Sequence, residues 1–175
     1  MNWPLLVRTD SPEETKDVAA RLASVCGCGD IVLLNGELGA GKTAFAQGFA
    51  AALGVEGPVT SPTFTLVRQY RCADSNPIET LIHADVYRTE SLPEVFDLAL
   101  AELVEERAVA LIEWGDMAAP ALGDDAIEVT LSWPEPFSSA SAEQRTISIT
   151  GRGRWAWRAD EVARVLPSAT SRVAP

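Results

Sequence analysis

The chain has 175 residues, a composition ordinary for a globular protein, and a formal net charge of −11 at pH 7. This length favours one domain with a sizeable core, and the acidic balance argues against a chain that grips nucleic acid alone, because Lys and Arg contacts to phosphate supply most of that affinity. The opening residues carry no long apolar segment, and no apolar run is long enough for a membrane span, so neither a secretory signal nor a membrane protein is predicted.

The first predicted elements are a short strand and a helix. Leu5–Val7 is a brief apolar run that indicates an edge strand. Ser11 suits a helix N-cap, Pro12 suits the first turn, and Glu14 stands three residues after Ser11, as a capping box requires. Apolar residues then recur on one face of the helix up to a turn at residues 26–29.

The three cysteines, Cys26, Cys28 and Cys72, indicate reduced thiols in a cytoplasmic protein. Their number is odd, and the Cys-Gly-Cys segment lacks the second ligand pair that a zinc site needs. The sequence therefore predicts neither a disulfide framework nor a structural zinc site.

The strongest motif is a glycine-rich loop between a strand and a helix. Residues 36–43, GELGAGKT, match G-x-x-x-x-G-K-[ST] at every fixed position and follow the apolar run Ile31–Leu34. Such glycines let the main chain approach a ligand, and the N–H groups of the loop and of the next helix form an anion cradle. Lys42 would reach the β- and γ-phosphates of a nucleotide, and Thr43 would offer its hydroxyl to Mg²⁺. A chance glycine-rich turn is the weaker alternative.

The hydroxyl-rich segment after this helix lies where P-loop proteins usually carry a nucleotide-sensing switch. Thr63 and Thr65 are therefore candidates to contact the γ-phosphate or its metal. The alternative is that threonine simply favours strands. The residues alone leave both interpretations open.

A further candidate group lies in Leu81–Arg88, whose apolar beginning predicts a strand that ends near Asp85. A carboxylate there would be well placed for Mg²⁺ or for an attacking water. His83, the only histidine, is better interpreted as a structural group than as a catalytic base. Arg88 fits a phosphate contact, and a plain ion pair fits it equally well.

The next segment predicts a helix and then a buried strand. Ser91 and Glu94 again form a capping box, ahead of a helix that continues through Val104. Ala108–Ile112 is a near-continuous apolar run, which is typical of a buried parallel strand. Glu113 at its tip gives a Walker B arrangement, with Glu where Asp is more usual. A surface glutamate that happens to follow a core strand is the weaker alternative.

The last two predicted strands are Ala126–Trp133 and Arg145–Thr150, both with alternating apolar residues, and together they predict an antiparallel hairpin at the sheet edge. We therefore expect one domain over residues 1–150. Residues 151–175 are predicted as a C-terminal extension, locally basic and aromatic at its start. Asp160–Leu166 suggests a short helix, and Pro167–Pro175 a frayed tail.

Four blocks in this order resemble one family: GELGAGKT, then SPTFTLV with Tyr70, then HADVYR, then LIEW. Together they are similar to the TsaE (YjeE) family of small bacterial ATPases, which serve formation of threonylcarbamoyladenosine on tRNA. The resemblance covers roughly Thr9–Arg145. Family members often carry Asp where this chain has Glu37 and Phe where it has Ala84, and neither change removes a group that the chemistry needs.

The resemblance implies a P-loop NTPase fold of the α/β class, a three-layer sandwich. Its central sheet would be mostly parallel, with antiparallel strands added at the C-terminal edge. It also implies slow hydrolysis of ATP with Mg²⁺, and docking on a TsaB–TsaD heterodimer in which TsaD transfers the carbamoyl group to adenosine 37 of the tRNA. The chain itself would not be the transferase, and the tRNA would be held mainly by the partners.

The resemblance also implies roles for individual residues. Lys42, Asp85 and Glu113 would be catalytic, with Thr43 and Glu113 holding Mg²⁺. The nucleotide would be contacted by Leu38, Gly39, Ala40, Gly41, Lys42, Thr43, Ala44, Thr63, Thr65, Trp114, Ser11 and Arg145.

The runner-up is a P-loop kinase acting on a small metabolite or nucleoside. Asp85 and Arg88 could then bind the acceptor. A kinase usually closes an arginine-rich lid over the phosphates, and residues 90–107 show no such composition. A GTPase is disfavoured because no N-K-x-D string occurs.

Overall fold

A computed structural model describes residues 3–62, 67–87, 107–134, 141–167 and 171–172 of the chain. The elements within these ranges are β1 (Leu5–Thr9), α1 (Pro12–Ala23), β2 (Ile31–Asn35), α2 (Lys42–Ala52), β3 (Val67–Arg71), β4 (Thr80–Asp85), β5 (Ala108–Glu113), α3 (Gly115–Leu122), β6 (Ile127–Ser132), β7 (Arg145–Gly151), a 3₁₀ helix (Gly153–Trp157), α4 (Ala159–Val165) and β8 (Ser171–Arg172). Thr63, Thr65, Arg88 and the helix predicted between Ser91 and Val104 lie outside the described residues.

Within the described ranges, eight strands form one sheet in the order β3-β4-β5-β2-β6-β7-β1-β8. The four strands β4, β5, β2 and β6 are parallel to one another. Antiparallel pairing extends the sheet at both ends. At one end β3 pairs with β4, and at the other β7 pairs with β6, β1 with β7, and β8 with β1. The predicted fold class is confirmed. The prediction that Leu5–Val7 forms an edge strand was wrong, because β1 lies between β7 and β8, which come from the far end of the chain.

Apolar side chains cover both faces of the sheet. On one face, Phe45 and Phe49 of α2 and Leu22 of α1 pack into a large cluster with inward residues of the strands. On the other face a second cluster includes Leu33 and Ile112, with residues of α3 against it. Burial on both faces explains why β2 and β5 are apolar without alternation. None of the helices in the described ranges is long and apolar enough to cross a lipid bilayer.

The start of α1 follows its sequence signature. Ser11 is the N-cap, and its hydroxyl accepts a hydrogen bond from the backbone N–H of Glu14 at 3.2 Å. The Glu14 carboxylate in turn accepts from the N–H of Asp10 at 2.7 Å, one residue earlier than a standard capping box. These bonds satisfy donors that have no intrahelical partner. Ser11 is thereby fixed as a helix cap.

The three cysteines are all free thiols. Cys28 is exposed, whereas burial is the main cause that raises the pKa of Cys26 and of Cys72 above the ordinary thiol value. A raised pKa leaves little thiolate near neutral pH. Cys26 and Cys72 therefore behave as small core residues.

The segment after residue 151 packs against the body of the molecule. Trp155 is fully buried and belongs to the same cluster as Val162 and Leu166. The predicted short helix is present as α4, and Ser171–Arg172, which was expected to be frayed, pairs with β1. The domain boundary at residue 150 stays a prediction, but part of the core comes from residues beyond it.

We expect this segment to be required for stability. Replacing the fully buried Trp155 by Ala removes a large apolar side chain from the core and should destabilise the fold by about 3–5 kcal/mol. The matched control is Trp157→Ala, because that side chain is 73% exposed. Chemical unfolding would measure both variants. Equal, small losses in the two would show that Trp155 contributes nothing specific to the core.

Candidate active site

The glycine loop opens into a cavity of about 530 Å³ at the carboxyl ends of β2, β4 and β5. Crevices at this end of a parallel sheet are where α/β folds bind ligands. The cavity is lined by Leu38, Gly39, Gly41, Lys42, Thr43, Ser61, Asp85, Tyr87, Glu113 and Trp114. The structure thus brings together residues of four sequence blocks that are separated along the chain.

The loop takes a conformation that requires glycine at two points. Gly36 has φ 141°, and a Cβ there would lie 2.6 Å from the carbonyl oxygen of Leu131. Gly41 has φ 106° and is the N-cap of α2. Since the first N–H groups of a helix lack intrahelical acceptors, the start of α2 at the cavity offers hydrogen-bond donors and a positive dipole end to an anion.

Lys42, the first residue of α2, folds back over the loop. Its Nζ donates hydrogen bonds to the carbonyl oxygens of Gly36 at 2.7 Å and Glu37 at 3.0 Å. The same ammonium lies 4.2 Å from the ring centroid of Trp114. Burial lowers the pKa of Lys42 below its ordinary value, and the nearby carboxylates of Glu113 and Asp85 oppose that shift. An anion in the cavity would replace the loop carbonyls as the partner of this cation.

Asp85 and Glu113 end neighbouring parallel strands and face each other in register. Both side chains are buried. Asp85 accepts a hydrogen bond from the N–H of Tyr87 at 3.0 Å and a longer one, 3.4 Å, from the hydroxyl of Ser61. Glu113 is hydrogen-bonded to His83 at 2.9 Å. Two carboxylates predicted separately from strand tips therefore form one acidic pair beside Lys42.

Trp114 forms one wall of the cavity. It is the N-cap of α3 and has φ 59°, a left-handed conformation that is unfavourable for a bulky residue. Its ring stands 4.7 Å from that of Tyr87. Backbone strain of this kind is commonly found at functional sites. Here the strained residue follows Glu113 directly and presents its ring to Lys42.

Arg145 lies behind the loop and is not among the residues that line the cavity. Its Nε donates to the carbonyl oxygen of Ala40 at 3.0 Å, and its Nη2 to that of Gly39 at 3.4 Å. The guanidinium also stacks on Trp133, 3.7 Å from the ring centroid. By holding two loop carbonyls outward, Arg145 favours a loop whose N–H groups face inward.

The other predicted residues fall in several places. Leu38 and Thr43 line the cavity. Ala40 is a loop residue whose side chain is buried, and Ala44 is half-buried in the first turn of α2. Ser11 does not line the cavity and serves as the cap of α1. Sequence reasoning did not name Ser61 and Tyr87 as lining residues, although they lie within the SPTFTLV and HADVYR blocks.

Comparison with known proteins gives the family. The family model for threonylcarbamoyl adenosine biosynthesis protein TsaE matches residues 9–145. The chain belongs to the TsaE family. The match spans the glycine loop, both carboxylates and Arg145, so every element of the cavity described above lies within the TsaE region.

Individual TsaE proteins match most of the chain. The tRNA threonylcarbamoyladenosine biosynthesis protein TsaE of Bacillus subtilis is 36% identical over 158 residues, 90% of this chain and 92% of its own. The protein of the same name from Mycobacterium tuberculosis H37Rv is 36% identical over 151 residues, 83% of this chain and 82% of its own. The crystal structure of Bacillus subtilis YdiB has a TM-score of 0.70 and 31% identity, covering 94% of this chain and 97% of that one.

The brace from Arg145 to the TsaE loop can be tested without any ligand. Replacing Arg145 by Ala removes the hydrogen bonds to the Gly39 and Ala40 carbonyls, and loss of about 1–1.5 kcal/mol should speed amide exchange at residues 39–43 by roughly tenfold. Arg152→Ala is the control, since that side chain pairs with Glu128. Unchanged exchange in the Arg145 variant would contradict the bracing role.

Proposed function

We propose that this TsaE-family protein is a Mg²⁺-dependent ATP-binding protein with weak ATPase activity. It would serve threonylcarbamoyladenosine modification of adenosine 37 in tRNA, acting in the cytoplasm through a TsaB–TsaD heterodimer. The observation that carries the proposal is the convergence of Lys42, Thr43, Asp85 and Glu113 on one cavity of about 530 Å³. This volume suits a small ligand.

The loop and the start of α2 suit a polyphosphate. Lys42 is already held by two carbonyl oxygens and needs only to exchange these acceptors for phosphate oxygens. The helix N-terminus at Gly41 adds N–H donors in a fixed direction. Arg145 supports this surface from behind. Leu38 lines the cavity with 89% of its surface exposed.

The oxygen donors at the cavity fit Mg²⁺. Thr43 offers a hydroxyl, and Glu113 and Asp85 offer carboxylates, all hard ligands of the type that Mg²⁺ prefers. Mg²⁺ usually keeps several waters and takes one or two carboxylates beside substrate phosphates, so it needs no larger set of protein ligands. When bound, the ion would offset negative charge on the phosphates.

The protein's own groups then divide the remaining work. Thr43 and Glu113 would hold the metal, and Asp85, fixed by the N–H of Tyr87, would orient the water that attacks the γ-phosphoryl group. Lys42 would stabilise charge that develops on the transferred group. Trp114 would shield this region and keep Lys42 close to it.

Turnover by the chain alone should be slow. Lys42 is the only Lys or Arg among the described residues that line the cavity, whereas efficient phosphoryl transfer often uses an additional arginine. A partner that inserts a cation would complete the site. We propose a TsaB–TsaD pair as that partner, in the pathway for which the relatives are named, tRNA threonylcarbamoyladenosine biosynthesis. With a net charge of −11, the chain would leave tRNA binding mainly to the pair.

ATP hydrolysis by the purified chain, alone and with a TsaB–TsaD pair plus tRNA, tests this proposal. We expect slow Mg²⁺-dependent turnover and marked stimulation by the pair. Turnover that appears only when a small hydroxyl acceptor is supplied would favour the kinase alternative. Absence of ATP binding would refute the proposal altogether.

The site residues can be tested in the same assay. Lys42→Ala should lower turnover by roughly 100-fold or more, because removal of one group that stabilises transition-state charge commonly costs that much. The chain has one other lysine, Lys16, which lies on α1, and Lys16→Ala is the matched control that should keep wild-type turnover. Glu113→Gln should also abolish most turnover, whereas Glu79→Gln, in an exposed ion pair with Arg107, should not.

A further inference from the structure

His83 is fully buried in the middle of β4 and contacts the site through Glu113. It does not line the cavity. Successive odd positions of a strand point to the same face, so His83 lies on the face of β4 that also carries Asp85. Its neighbour in register on β5 is Leu111, two residues before Glu113. The imidazole is therefore buried on the same face of the sheet as Asp85, two residues before the acidic pair.

The hydrogen bond assigns the proton on the ring. An ionised carboxylate only accepts hydrogen bonds, so with Glu113 ionised the ring atom 2.9 Å from its Oε1, Nε2, is the one that carries a hydrogen. The other ring nitrogen, Nδ1, is buried without a hydrogen-bond partner within the described part of the structure. The neutral Nε2–H tautomer leaves only a lone pair unpaired there, which is the least costly arrangement for a buried imidazole.

The hydrogen bond from His83 restricts the side-chain rotations of Glu113. Glutamate has one more rotatable bond than aspartate, the more usual residue at this strand tip. Engaging Oε1 with His83 fixes the carboxylate and leaves Oε2 for a ligand in the cavity that Glu113 lines. Outer hydrogen bonds of this kind typically orient metal-binding groups and affect metal affinity strongly.

We infer that His83 is a positioning residue, which holds the carboxylate of Glu113 in the orientation that receives the Mg²⁺ of the bound nucleotide. This inference rests on the proposed function and adds to it a residue outside the cavity. A purely structural role would be limited to filling the space below the acidic pair. The two roles differ in one measurable quantity, the gain in ATP affinity that Mg²⁺ provides.

Calorimetric titration of ATP, once with Mg²⁺ and once with EDTA, measures that gain. His83→Leu should reduce the gain roughly tenfold, as outer-shell changes do, while the affinity in EDTA stays close to wild type because the loop contacts remain. His83→Gln keeps an N–H donor at similar reach and should recover most of the gain. In a Glu113→Gln background, His83→Leu should have no further effect on the gain.

Thr9→Val is the control for loss of a buried polar group, since Thr9 is buried and bonded to Thr15 in a different part of the fold. It should change stability and leave the Mg²⁺ gain intact. If His83→Leu binds ATP with the full gain, His83 is structural and the proposed function stands. If the wild type binds no ATP in either buffer, the proposed function fails and this inference fails with it.

A second measurement uses the wild-type protein, so it does not depend on whether a variant folds. His83 is the only histidine of the chain, so histidine-labelled, untagged protein gives one set of ring nitrogen signals in long-range ¹H–¹⁵N spectra. We expect a protonated Nε2 in the ligand-free protein. In the ATP complex prepared with EDTA, we expect the ring signals to shift when Mg²⁺ is added beyond the EDTA concentration. An Nε2 without hydrogen, or ring nitrogen chemical shifts that do not change on addition of Mg²⁺, would overturn the positioning role.

Discussion

Two buried carboxylates side by side are the constraint on which this site depends. Asp85 and Glu113 end adjacent parallel strands, and both are almost excluded from solvent. A buried charge is costly unless it is paired or hydrogen-bonded. Each carboxylate is therefore supplied with donors, Tyr87 N–H and the Ser61 hydroxyl for one and His83 for the other. The nearby ammonium of Lys42 is the one cation in the cavity lining as described.

The parallel arrangement of β4, β5 and β2 makes this concentration of charge possible. In a parallel sheet all strands end on the same side, so residues separated by long stretches of chain meet there. Lys42 begins α2, directly after the loop that follows β2, while Asp85 and Glu113 end β4 and β5. Helices and apolar clusters cover both faces of the sheet. Burial of these apolar clusters stabilises the fold. It can therefore offset the repulsion between the neighbouring carboxylates of Asp85 and Glu113.

Much of this could be predicted because the signals are local. The glycine loop, the Ser11 cap and the acids at strand tips each depend on neighbours within a few residues, and the structure places Lys42, Asp85 and Glu113 around one cavity as such patterns imply. The position of β1 could not be predicted, since its partners β7 and β8 come from the other end of the chain. Nor could the burial of Trp155, because the nearby Arg152, Arg154 and Arg158 make this part of the sequence basic.

Arg145 and His83 show a different limit. Arg145 acts on main-chain carbonyls of the loop, which any residue types would provide, so no pattern of side chains marks it. His83 shares a strand face with Asp85, but its partner Glu113 is on the next strand and is found only when the register is known. Interactions across elements thus determine how the predicted groups are held.

The balance of charge in the cavity also bears on how a nucleotide would be handled. Its described lining offers one ammonium against two carboxylates, and a nucleotide polyphosphate is itself an anion. Attraction must then come from the metal and from the fixed N–H dipoles of the loop and of α2. Dipoles of this kind can bind phosphate and stabilise charge on it, but fast phosphoryl transfer often uses an additional arginine as well. In the proposed cycle the protein alone would bind ATP and hydrolyse it only slowly. Docking of a partner would then determine when hydrolysis occurs.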